Sequence, residues 1–412
     1  MASRAVAYIA PEIPGLSATF VYEEILALQA RGYEIVPFSV HVPGSVAKDQ
    51  LTLSKTTIYL YQTSVAQILM SFCKSLVSRE VRLLATLKML ISDCRDQGIF
   101  TLDSAKLVYQ FIHANHAAIQ MLRRGCEHIH IHFAHVPTQI GMYASSLTGI
   151  PFTFTGHAND IFERGKLLTQ KAERSAKMVT ISQHNRALLI DQGIQPEKIA
   201  VVRCGVSFPI STAPNRTEQK GGFRVGSIGR LVEKKGFDVL IKAFAKLRAE
   251  NPDVTLEIAG DGPLRTEIEE LITDLELAGS IHLLGAMDHK EVSKWLRSLD
   301  LFVLACKVDR NGDMDGIPVV LMEAMSQGIP VVSTNLSGIP ELIVDHRTGL
   351  LAAPGSVEEL FEKMREIGSD DELRDRLAIN ALDHVDVEFG QKTNIDRLEQ
   401  VFAAPVGTET NV

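Results

Sequence analysis

The hydrophobic pattern alternates between short apolar runs and longer amphipathic segments along most of the chain. AVAYIA (residues 5–10) is typical of a buried strand, and Phe20–Arg31 has the periodicity of a helix. Gly32 then suits a helix stop, and YEIVPFSV suits a second strand. Strands that alternate with helices predict a parallel sheet with crossover connections. Further strands are predicted at HIHIHFA, PFTFTGH, KMVTIS and KIAVVRCG, with helices at 139–147 and 184–192.

The stretch SFPISTAPNRTEQKGG (207–222) interrupts this alternation with two prolines, many polar residues and two closing glycines, which is typical of a linker. After it the alternation restarts. Strands are predicted at FRVGSIG, TLEIAG, IHLLG, LFVLA and IPVVSTN, and helices at FDVLIKAFAKLRAE, RTEIEELITDLEL and HKEVSKWLRSLD. The fold class is therefore α/β, with two doubly wound, Rossmann-like domains facing across a cleft.

The predicted domain bounds follow from these patterns. The N-terminal domain spans residues 1–206, the linker 207–222 and the C-terminal domain 223–385. Residues 386–412 are expected to form a helix that packs back on the N-terminal domain, followed by a flexible tail.

Residues 65–91 are predicted to be helical and admit two interpretations. The segment is apolar, with Lys74, Arg79, Arg82 and Lys88 interspersed. It is either a core-facing helix with a charged outer side or a basic amphipathic helix that lies on an anionic membrane surface.

Composition supports a soluble chain with two cores. Of 412 residues, 45% are hydrophobic and 22% are charged, and no run approaches the ~20 apolar residues of a membrane span. The first apolar run is followed by Pro, Glu and Gly, which favours a strand over a signal peptide. The five scattered cysteines form no CxxC pair, which indicates free thiols in a reducing cytoplasm and no zinc site.

The charge is divided unequally between the two halves. Residues 1–205 hold 20 Lys and Arg against 15 Asp and Glu, a net charge of +5. The remaining residues hold 22 against 35, a net charge of −13. A basic half suggests an anionic partner, although chance variation between domains explains it equally well. Nucleic acid is disfavoured because the chain has no known binding motif and few aromatic residues.

The stretch DMDGIPVVLMEAM (313–325) carries candidate binding chemistry. Pro318 suits a helix start and Gly328 its end, so Asp315 lies in the entering loop. Glu323 then lies about 7.5 Å further along the helix axis. Amides at a helix start attract phosphate, and carboxylates accept sugar hydroxyls. An elongated ligand with a sugar, a diphosphate and a ribose would fit. The alternative is a buried helix with a capping acid and one solvated glutamate.

A second element adds positive charge to the same domain. In GSIGRLVEKKGFDVLIKAF (226–244), Arg230 and Lys235 lie in the loop between a strand and a helix. Ligands bind at this edge of open α/β sheets, and these two groups would neutralise a diphosphate. The alternative is a pair of solvated loop charges.

Taken together, GRLVEKKGFDVLIKAF, EIAGDGPLRTEIEEL, IHLLGAM and DGIPVVLMEAMSQGIPVVSTNLSGIPELI resemble the family 4 glycosyltransferases, which are retaining enzymes of the GT-B fold. The first half is similar to the branch that acts in bacterial exopolysaccharide assembly. That similarity rests on LSATFVYEEILALQARGYEI, HFAH, FTGHANDIF and VTISQHN.

The resemblance implies a role for each matching residue. Asp315 would contact the donor sugar and Glu323 the ribose, while Arg230 and Lys235 would contact the diphosphate. Asp315 stands where glutamate is commoner and is one methylene shorter. The remaining donor contacts implied are backbone groups of Gly316, Ile317 and Pro318 and a base site at Leu284, Gly285, Ala286 and Met287.

In the N-terminal domain the resemblance implies that His157 faces the donor sugar as a catalytic residue, with Asp315 on the other side. The loop from Pro11 to Thr19, with Gly15 and Ser17, would close over the phosphates. It has one glycine where the family has two. His130 and His132 share a strand face: they line a sheet edge, or one of them touches the acceptor.

The expected function is transfer of a hexose from a nucleotide diphosphate sugar to a glycan acceptor in exopolysaccharide synthesis. A UDP-sugar is the first expectation and GDP-mannose the second. The acceptor is expected to be lipid-linked, and the protein cytoplasmic with peripheral membrane contact. No metal or other cofactor is expected.

Two alternatives remain, a nucleotide-sugar epimerase of the GT-B fold and a catalytically silent nucleotide-sugar-binding partner. A nicotinamide dehydrogenase is disfavoured because neither half has GxGxxG after its first strand.

Overall fold

The chain forms two compact units in the computed structural model. One unit comprises Met1–Ile181, Arg186–Val202 and Ile395–Val412, and the other comprises Ser182–Asn185 and Arg203–Asn394. The structure describes residues 4–15, 19–44, 46, 50–78, 81–157, 160–161, 166–205, 211 and 222–403. Most of the predicted linker and the end of the predicted tail lie outside these ranges.

The first unit is built on a parallel sheet of seven strands. Numbered β1 to β7 along the chain, they are Ala5–Ala10, Glu34–Ser39, Ile58–Tyr59, His128–His132, Phe152–Gly156, Lys177–Thr180 and Ile199–Val201. Their order across the sheet is β3-β2-β1-β4-β5-β6-β7. In register, Val6 of β1 lies beside Ile35 of β2 on one side and His128 of β4 on the other. The chain reverses its direction across the sheet between β1 and β4, which is where open α/β sheets bind ligands.

Helices cover both faces of this sheet and confirm the predicted crossover pattern. They are Thr19–Ala30, Leu51–Thr56, Val65–Val77, Leu83–Asp96, Leu102–Arg123, Val136–Thr148, Leu168–Arg174 and Gln183–Asp191. Gly32 and Gly149 follow helices with positive φ of 90° and 75°, a conformation that glycine adopts without steric penalty.

The inward side of the helix Val65–Val77 is mixed: it buries two serines, and Phe72 packs against the core of the unit, as the core-facing interpretation expects. Ser71 and Ser75 are its buried residues. Their hydroxyls lie 2.9 Å from His116 Nδ1 and 2.6 Å from Asn115 Oδ1 on the neighbouring helix. Its apolar side chains Val65, Leu69, Met70, Leu76 and Val77 are exposed.

The second unit repeats the same plan with six parallel strands. Numbered β8 to β13 along the chain, they are Arg224–Ile228, Thr255–Ala259, Ile281–Gly285, Leu301–Val303, Val331–Thr334 and Leu350–Ala352. Their order across the sheet is β10-β9-β8-β11-β12-β13. The reversal of direction falls between β8 and β11. The helices are Phe237–Glu250, Arg265–Asp274, His289–Leu296, Val319–Ser326, Ile339–Leu342, Val357–Ser369 and Asp371–His384.

The last helix, Gln391–Phe402, joins the core of the first unit. Ile395, Leu398, Val401 and Phe402 pack with Tyr8 and the other buried residues of that core. Arg31 bonds to two acids of the helix, Asp396 Oδ1 at 2.5 Å and Glu399 Oε2 at 2.6 Å.

Candidate functional site

The sequence-predicted ligand residues of the second unit gather at the carboxyl edge of its sheet, on the two sides of the reversal point. The loop after β8 carries Arg230 and Lys235. The loop after β11, the neighbouring strand, carries Asp315 and leads into the helix Val319–Ser326 with Glu323. Because carboxyl ends of parallel strands meet at one edge, this arrangement follows from the topology.

The loop after β8 is a short 3₁₀ turn, Glu233–Lys235, that ends at Gly236. Gly236 has a φ of 66°, and a Cβ there would lie 1.9 Å from the carbonyl oxygen of Ala305. No other residue fits this position without displacing backbone. Lys307, in the loop after β11, donates its amide to the Lys234 carbonyl at 2.9 Å. The two loops are therefore in direct contact.

Two lysines of this turn pair with two acids of the opposite loop. Lys235 Nζ lies 2.6 Å from Asp315 Oδ2, and Lys234 Nζ lies 2.7 Å from Asp313 Oδ2. Lys234 Nζ also lies 3.5 Å from Asp315 Oδ1. Burial acts to raise the pKa of Asp315, but attraction and hydrogen bonding to Lys235, with help from Lys234, hold it below its usual value. Asp315 is therefore ionised at neutral pH.

Burial also acts to lower the pKa of Lys234, but the hydrogen bond that Lys234 donates to Asp313 and the charge of Asp315 raise it above its usual value. Asp315 and Lys234 are therefore both held in their charged forms. Such a pre-formed group of charges needs no rearrangement to receive an ionic ligand.

Arg230 differs from Lys235 in its contacts. Its side chain is exposed and makes no ion pair with any residue that the structure describes. Its position on the β8 loop, next to Leu231, is held by a bond from the Leu231 amide to Asp261 O at 3.0 Å. The guanidinium remains open to solvent and to a ligand.

The helix Val319–Ser326 begins as predicted, with Pro318 as its N-cap and no side chain capping its amides. Gly316, Ile317 and Pro318 are buried at the entrance to this helix. Glu323 is half-buried, and burial raises the pKa of its carboxyl group to about 7. A carboxyl group with this pKa changes charge near neutral pH. Hydroxyl groups that donate hydrogen bonds to it would favour its ionised form.

The predicted base site lies at the end of β10, the outer strand of the same sheet edge. Leu284 is exposed, and Met287 packs against the neighbouring core residues. Gly285 accepts the Gly260 amide at 2.7 Å, and Gly229 donates to Ala259 O at 3.1 Å. These bonds tie the ends of β8, β9 and β10 together.

In the first unit, His157 follows β5 and Gly15 follows β1, both at the carboxyl edge of that sheet. Ser17, the other predicted residue of the first loop, lies outside the described residues. The ring of His157 packs between Phe20 and Phe133, with centroid distances of 4.9 and 4.7 Å. Burial, with the neighbouring His132 and His135, lowers the pKa of His157 well below its usual value, so the ring is neutral.

A hydrogen-bonded chain runs from Glu24 to His157. Glu24 Oε1 lies 2.9 Å from His132 Nε2, and His132 Nδ1 lies 3.3 Å from His157 Nε2. If neutral His132 donates from Nε2 to the Glu24 carboxylate, its Nδ1 accepts from His157 Nε2. That order leaves Nδ1 of His157 as an acceptor.

The backbone of His157 is positioned by a buried carboxylate. Asp160 accepts the His157 amide at 2.7 Å and also the Ala134 amide. Lys171, fully buried, donates to the Ala134 and Lys166 carbonyls. Burial raises the pKa of Asp160 and lowers that of Lys171, while their opposite charges favour the ionised pair.

His130 and His132 share one face of β4, as predicted. They form, with Glu24, a cluster whose possible metal-ligand atoms lie within 4.8 Å of one another. Its atoms are already hydrogen-bonded: His130 Nδ1 to Thr153 Oγ1 at 2.9 Å and His132 to Glu24. We therefore treat the cluster as a polar network.

Sequence reasoning missed Glu24, Lys234, Asp313 and Asp160. Lys234 and Asp313 adjoin residues that the sequence did indicate, in EKKG and DMDG. Glu24 gives no local signal, because its partner His132 is 108 residues away.

Two family models match the chain. "Glycosyltransferase Family 4" matches residues 17–208, and "Glycosyl transferases group 1" matches residues 212–384. A putative colanic acid biosynthesis glycosyltransferase of Salmonella typhimurium is 34% identical over 58% of this chain and 57% of that protein. An amylovoran biosynthesis glycosyltransferase of Erwinia amylovora is 32% identical over 60% of this chain and 62% of that protein. The chain thus matches less than two thirds of the length of either relative.

Among solved structures, Anabaena HepE in complex with UDP has a TM-score of 0.71 at 17% identity, covering 98% of this chain and 100% of that chain. A glycosyltransferase from Rickettsia africae has a TM-score of 0.69 at 15% identity, covering 98% of both chains. At these identities the likeness is one of fold.

Proposed function

The chain belongs to glycosyltransferase family 4, whose two models together match residues 17–384 apart from 209–211, and we propose that it transfers a hexose from a nucleotide diphosphate sugar to a glycan acceptor. Its fold is the GT-B fold. The observation that carries the proposal is the contact between Lys235 and Asp315 at the reversal point of the second sheet.

The proposed chemistry needs positive charge where the leaving diphosphate gains negative charge. Lys235 and Arg230 stand on one loop, and the uncapped start of the helix Val319–Ser326 follows the other. Fixed charges and amides at this position would stabilise the departing diphosphate without a metal ion. Asp315 would accept hydroxyls of the transferred sugar and Glu323 those of the ribose.

We propose a UDP-sugar as donor, retention of the anomeric configuration, and an acceptor that is a lipid-linked glycan of an exopolysaccharide pathway. The relatives support the pathway, since the Salmonella and Erwinia proteins are named for colanic acid and amylovoran biosynthesis. The solved structure of Anabaena HepE contains UDP, which supports the donor.

The test is a turnover assay with UDP-glucose, UDP-galactose, UDP-N-acetylglucosamine and GDP-mannose, each with a lipid-linked glycan extract and with excess EDTA. Glycosidic product with retained configuration in EDTA supports the proposal, and loss of activity in EDTA contradicts the metal-free step. Conversion of the donor to an epimer without acceptor would contradict the transferase proposal and indicate an epimerase. Donor binding without turnover on any acceptor would indicate a silent binding partner.

The carboxyl group of Glu323 predicts a pH dependence of donor affinity. Its pKa is raised to about 7 by burial, whereas ribose hydroxyls that donate to it favour the ionised form. Donor binding therefore releases a proton, and affinity rises with pH. We expect the Kd of the nucleotide sugar to fall about five- to tenfold from about pH 6 to pH 8. Calorimetric titration at both pH values measures it.

Glu323→Gln is the matched control for this dependence, because the amide keeps the size of the side chain and has no charge to titrate. Its Kd should be weaker than that of the wild type at the higher pH and flat across the range. A wild-type Kd that does not change with pH would remove Glu323 from the ribose site.

Membrane contact is proposed for the apolar surface of the first unit. Leu76 and Val77 are 72% and 83% exposed, and Phe100, in the segment after the helix Leu83–Asp96, is fully exposed. Lys88 and Arg82, on the adjoining helix and its start, are exposed and basic. Exposed apolar side chains together with exposed cations of the same unit favour an anionic bilayer surface. No described helix is long and apolar enough to cross a membrane.

We expect Leu69→Gln/Leu76→Gln to lower sedimentation with phosphatidylglycerol-containing vesicles about tenfold or more, because each leucine loses its transfer to the bilayer. The control is Ile379→Gln/Val387→Gln, which changes two exposed apolar residues of the second unit. Equal sedimentation of both variants and the wild type would contradict membrane contact through this surface.

A further inference from the structure

A separate cavity of about 250 Å³ lies in the first unit. Its walls are the start of the helix Leu102–Arg123, the start of the helix Val136–Thr148, Gln97 and the turn before Leu168. Both helix starts face the carboxyl edge of a parallel sheet, the edge at which α/β folds bind ligands. The lining residues are Gln97, Asp103, Lys106, Leu107, Gln110, His135, Val136, Gln139, Lys166 and Leu167.

Two buried amides in the wall lack partners. Gln110 and Gln139 are 5% and 6% exposed, and neither side-chain oxygen has a hydrogen-bond partner among the described residues. Buried polar atoms are almost always bonded, so two unpaired oxygens beside one cavity favour a ligand that donates hydrogen bonds to them. The terminal torsion of glutamine is soft and roughly two-fold, so either the oxygen or the NH₂ group can turn to the cavity.

The charged groups of the wall are paired with one another. Asp103 pairs with Lys166 and lies 3.6 Å from Lys106, so one carboxylate serves both ammonium groups. The hydrogen bond from Lys166 lowers the pKa of Asp103 and keeps it ionised. The buried polar atoms of the wall that have no partner among the described residues are the uncharged oxygens of two glutamines, which suit hydroxyl donors.

The size of the cavity and the apolar part of its wall limit further which ligands fit. Leu107, Val136 and Leu167 provide an apolar patch beside the amides. A volume of about 250 Å³ holds about eight waters at ~30 Å³ each, enough for one sugar ring. Hydroxyls can pair with the amides while a C–H face packs on the apolar patch.

The cavity also lies close to the His157 site. His135 lines the cavity, and its ring centroid is 5.6 Å from that of Phe133. Phe133 in turn packs on His157 at 4.7 Å. We infer that this cavity binds one neutral hexose ring of the acceptor glycan, an inference that rests on the proposed transferase function.

Saturation-transfer NMR with the methyl glycosides of glucose, galactose, mannose and N-acetylglucosamine tests the inference on the full chain. We expect at least one glycoside to bind the wild type. Gln110→Leu/Gln139→Leu should weaken that binding about tenfold or more, because two buried hydrogen bonds are lost. The affinity of the same variant for UDP should stay within about twofold, which shows that the fold and the donor site are intact.

Gln120→Leu is the control, since Gln120 lies on the same helix but does not line the cavity. It should bind the glycoside as the wild type does. Absence of binding by all four glycosides, or equal binding by the cavity variant, would overturn the inference. Failure of the transferase function itself appears separately, as absence of nucleotide-sugar binding and turnover in the wild type.

Discussion

Lys235→Ala is expected to lower kcat/KM for the nucleotide-sugar donor about 10²- to 10³-fold, the loss seen when one pre-placed donor to a developing negative charge is removed. The ammonium group is held in place by Asp315 at 2.6 Å and by the turn that ends at Gly236. Most of the loss should fall on kcat, because the negative charge on the diphosphate grows in the transition state. Steady-state kinetics with varied donor measure it.

A double-mutant cycle with Asp315 separates this role from a purely structural one. Asp315→Asn leaves Lys234 and Lys235 with less negative charge, and Lys235→Ala leaves Asp315 with only Lys234 at 3.5 Å. If Lys235 acts on the diphosphate, Lys235→Ala weakens UDP binding whether or not Asp315 is present. If it serves only as the partner of Asp315, adding Lys235→Ala to Asp315→Asn changes neither UDP affinity nor kcat.

Lys242→Ala provides the matched control, since Lys242 is an exposed lysine on the following helix. Its kinetics should equal those of the wild type within about twofold. A Lys235→Ala enzyme that matches Lys242→Ala in kcat/KM and UDP affinity would remove Lys235 from the donor site.

The second unit was predictable because its signals are local. FDVLIKAFAKLRAE is a helix over Phe237–Glu250, and IHLLG is a strand over Ile281–Gly285, as the periodicity predicts. Pro318 and Gly328 bound the short helix, Gly328 with a φ of 72°. Such boundaries depend on residues within one turn of the chain.

The first unit was less predictable because tertiary contacts override its local pattern. The helix Leu102–Arg123 was not predicted, and its buried residues include Gln110, His113 and Asn115 beside apolar ones. In the helix Val65–Val77, hydrogen bonds bury Ser71 and Ser75 and leave leucines exposed. The periodicity gives the helix but not the side that packs inwards.

Some residues of the candidate site were likewise predictable from local motifs, and others depend on tertiary contacts. Asp315, Lys235 and Glu323 were found from motifs, but the Lys234–Asp313 pair joins residues 79 apart. The chain from Glu24 through His132 to His157 depends on the pairing of β4 with β5 and on the packing of the helix Thr19–Ala30. That order of strands is a property of topology, which spacing along the sequence does not specify.

That chain of hydrogen bonds leads to a second large expected effect. Glu24→Gln should lower kcat about 10- to 100-fold, by analogy with the loss found when the carboxylate that orients a metal-bound histidine is removed. The ionised carboxylate sets the tautomer of His132, and His132 sets that of His157. A neutral amide can accept or donate, so the tautomers of both rings become mixed.

The KM of the donor should change less than about threefold, because the proposed diphosphate and ribose contacts lie in the second unit. The pH profile gives a further readout. The charged or titratable groups that face His157 are His132, His135 and Asp160, and burial lowers its own pKa well below the usual value. Loss of a neutral acceptor at His157 should therefore lower kcat equally across about pH 6 to 8, without a new inflection.

Glu23→Gln makes the same chemical change one residue earlier on the same helix, and it is the control for helix stability. Both variants should unfold near the wild-type temperature, with only Glu24→Gln impaired in turnover. Glu24→Asp, which restores the charge on a shorter side chain, should recover part of kcat because the tautomer is set again. Equal kcat for Glu24→Gln and Glu23→Gln would mean that the carboxylate stabilises the packing of β4 and does not orient His157.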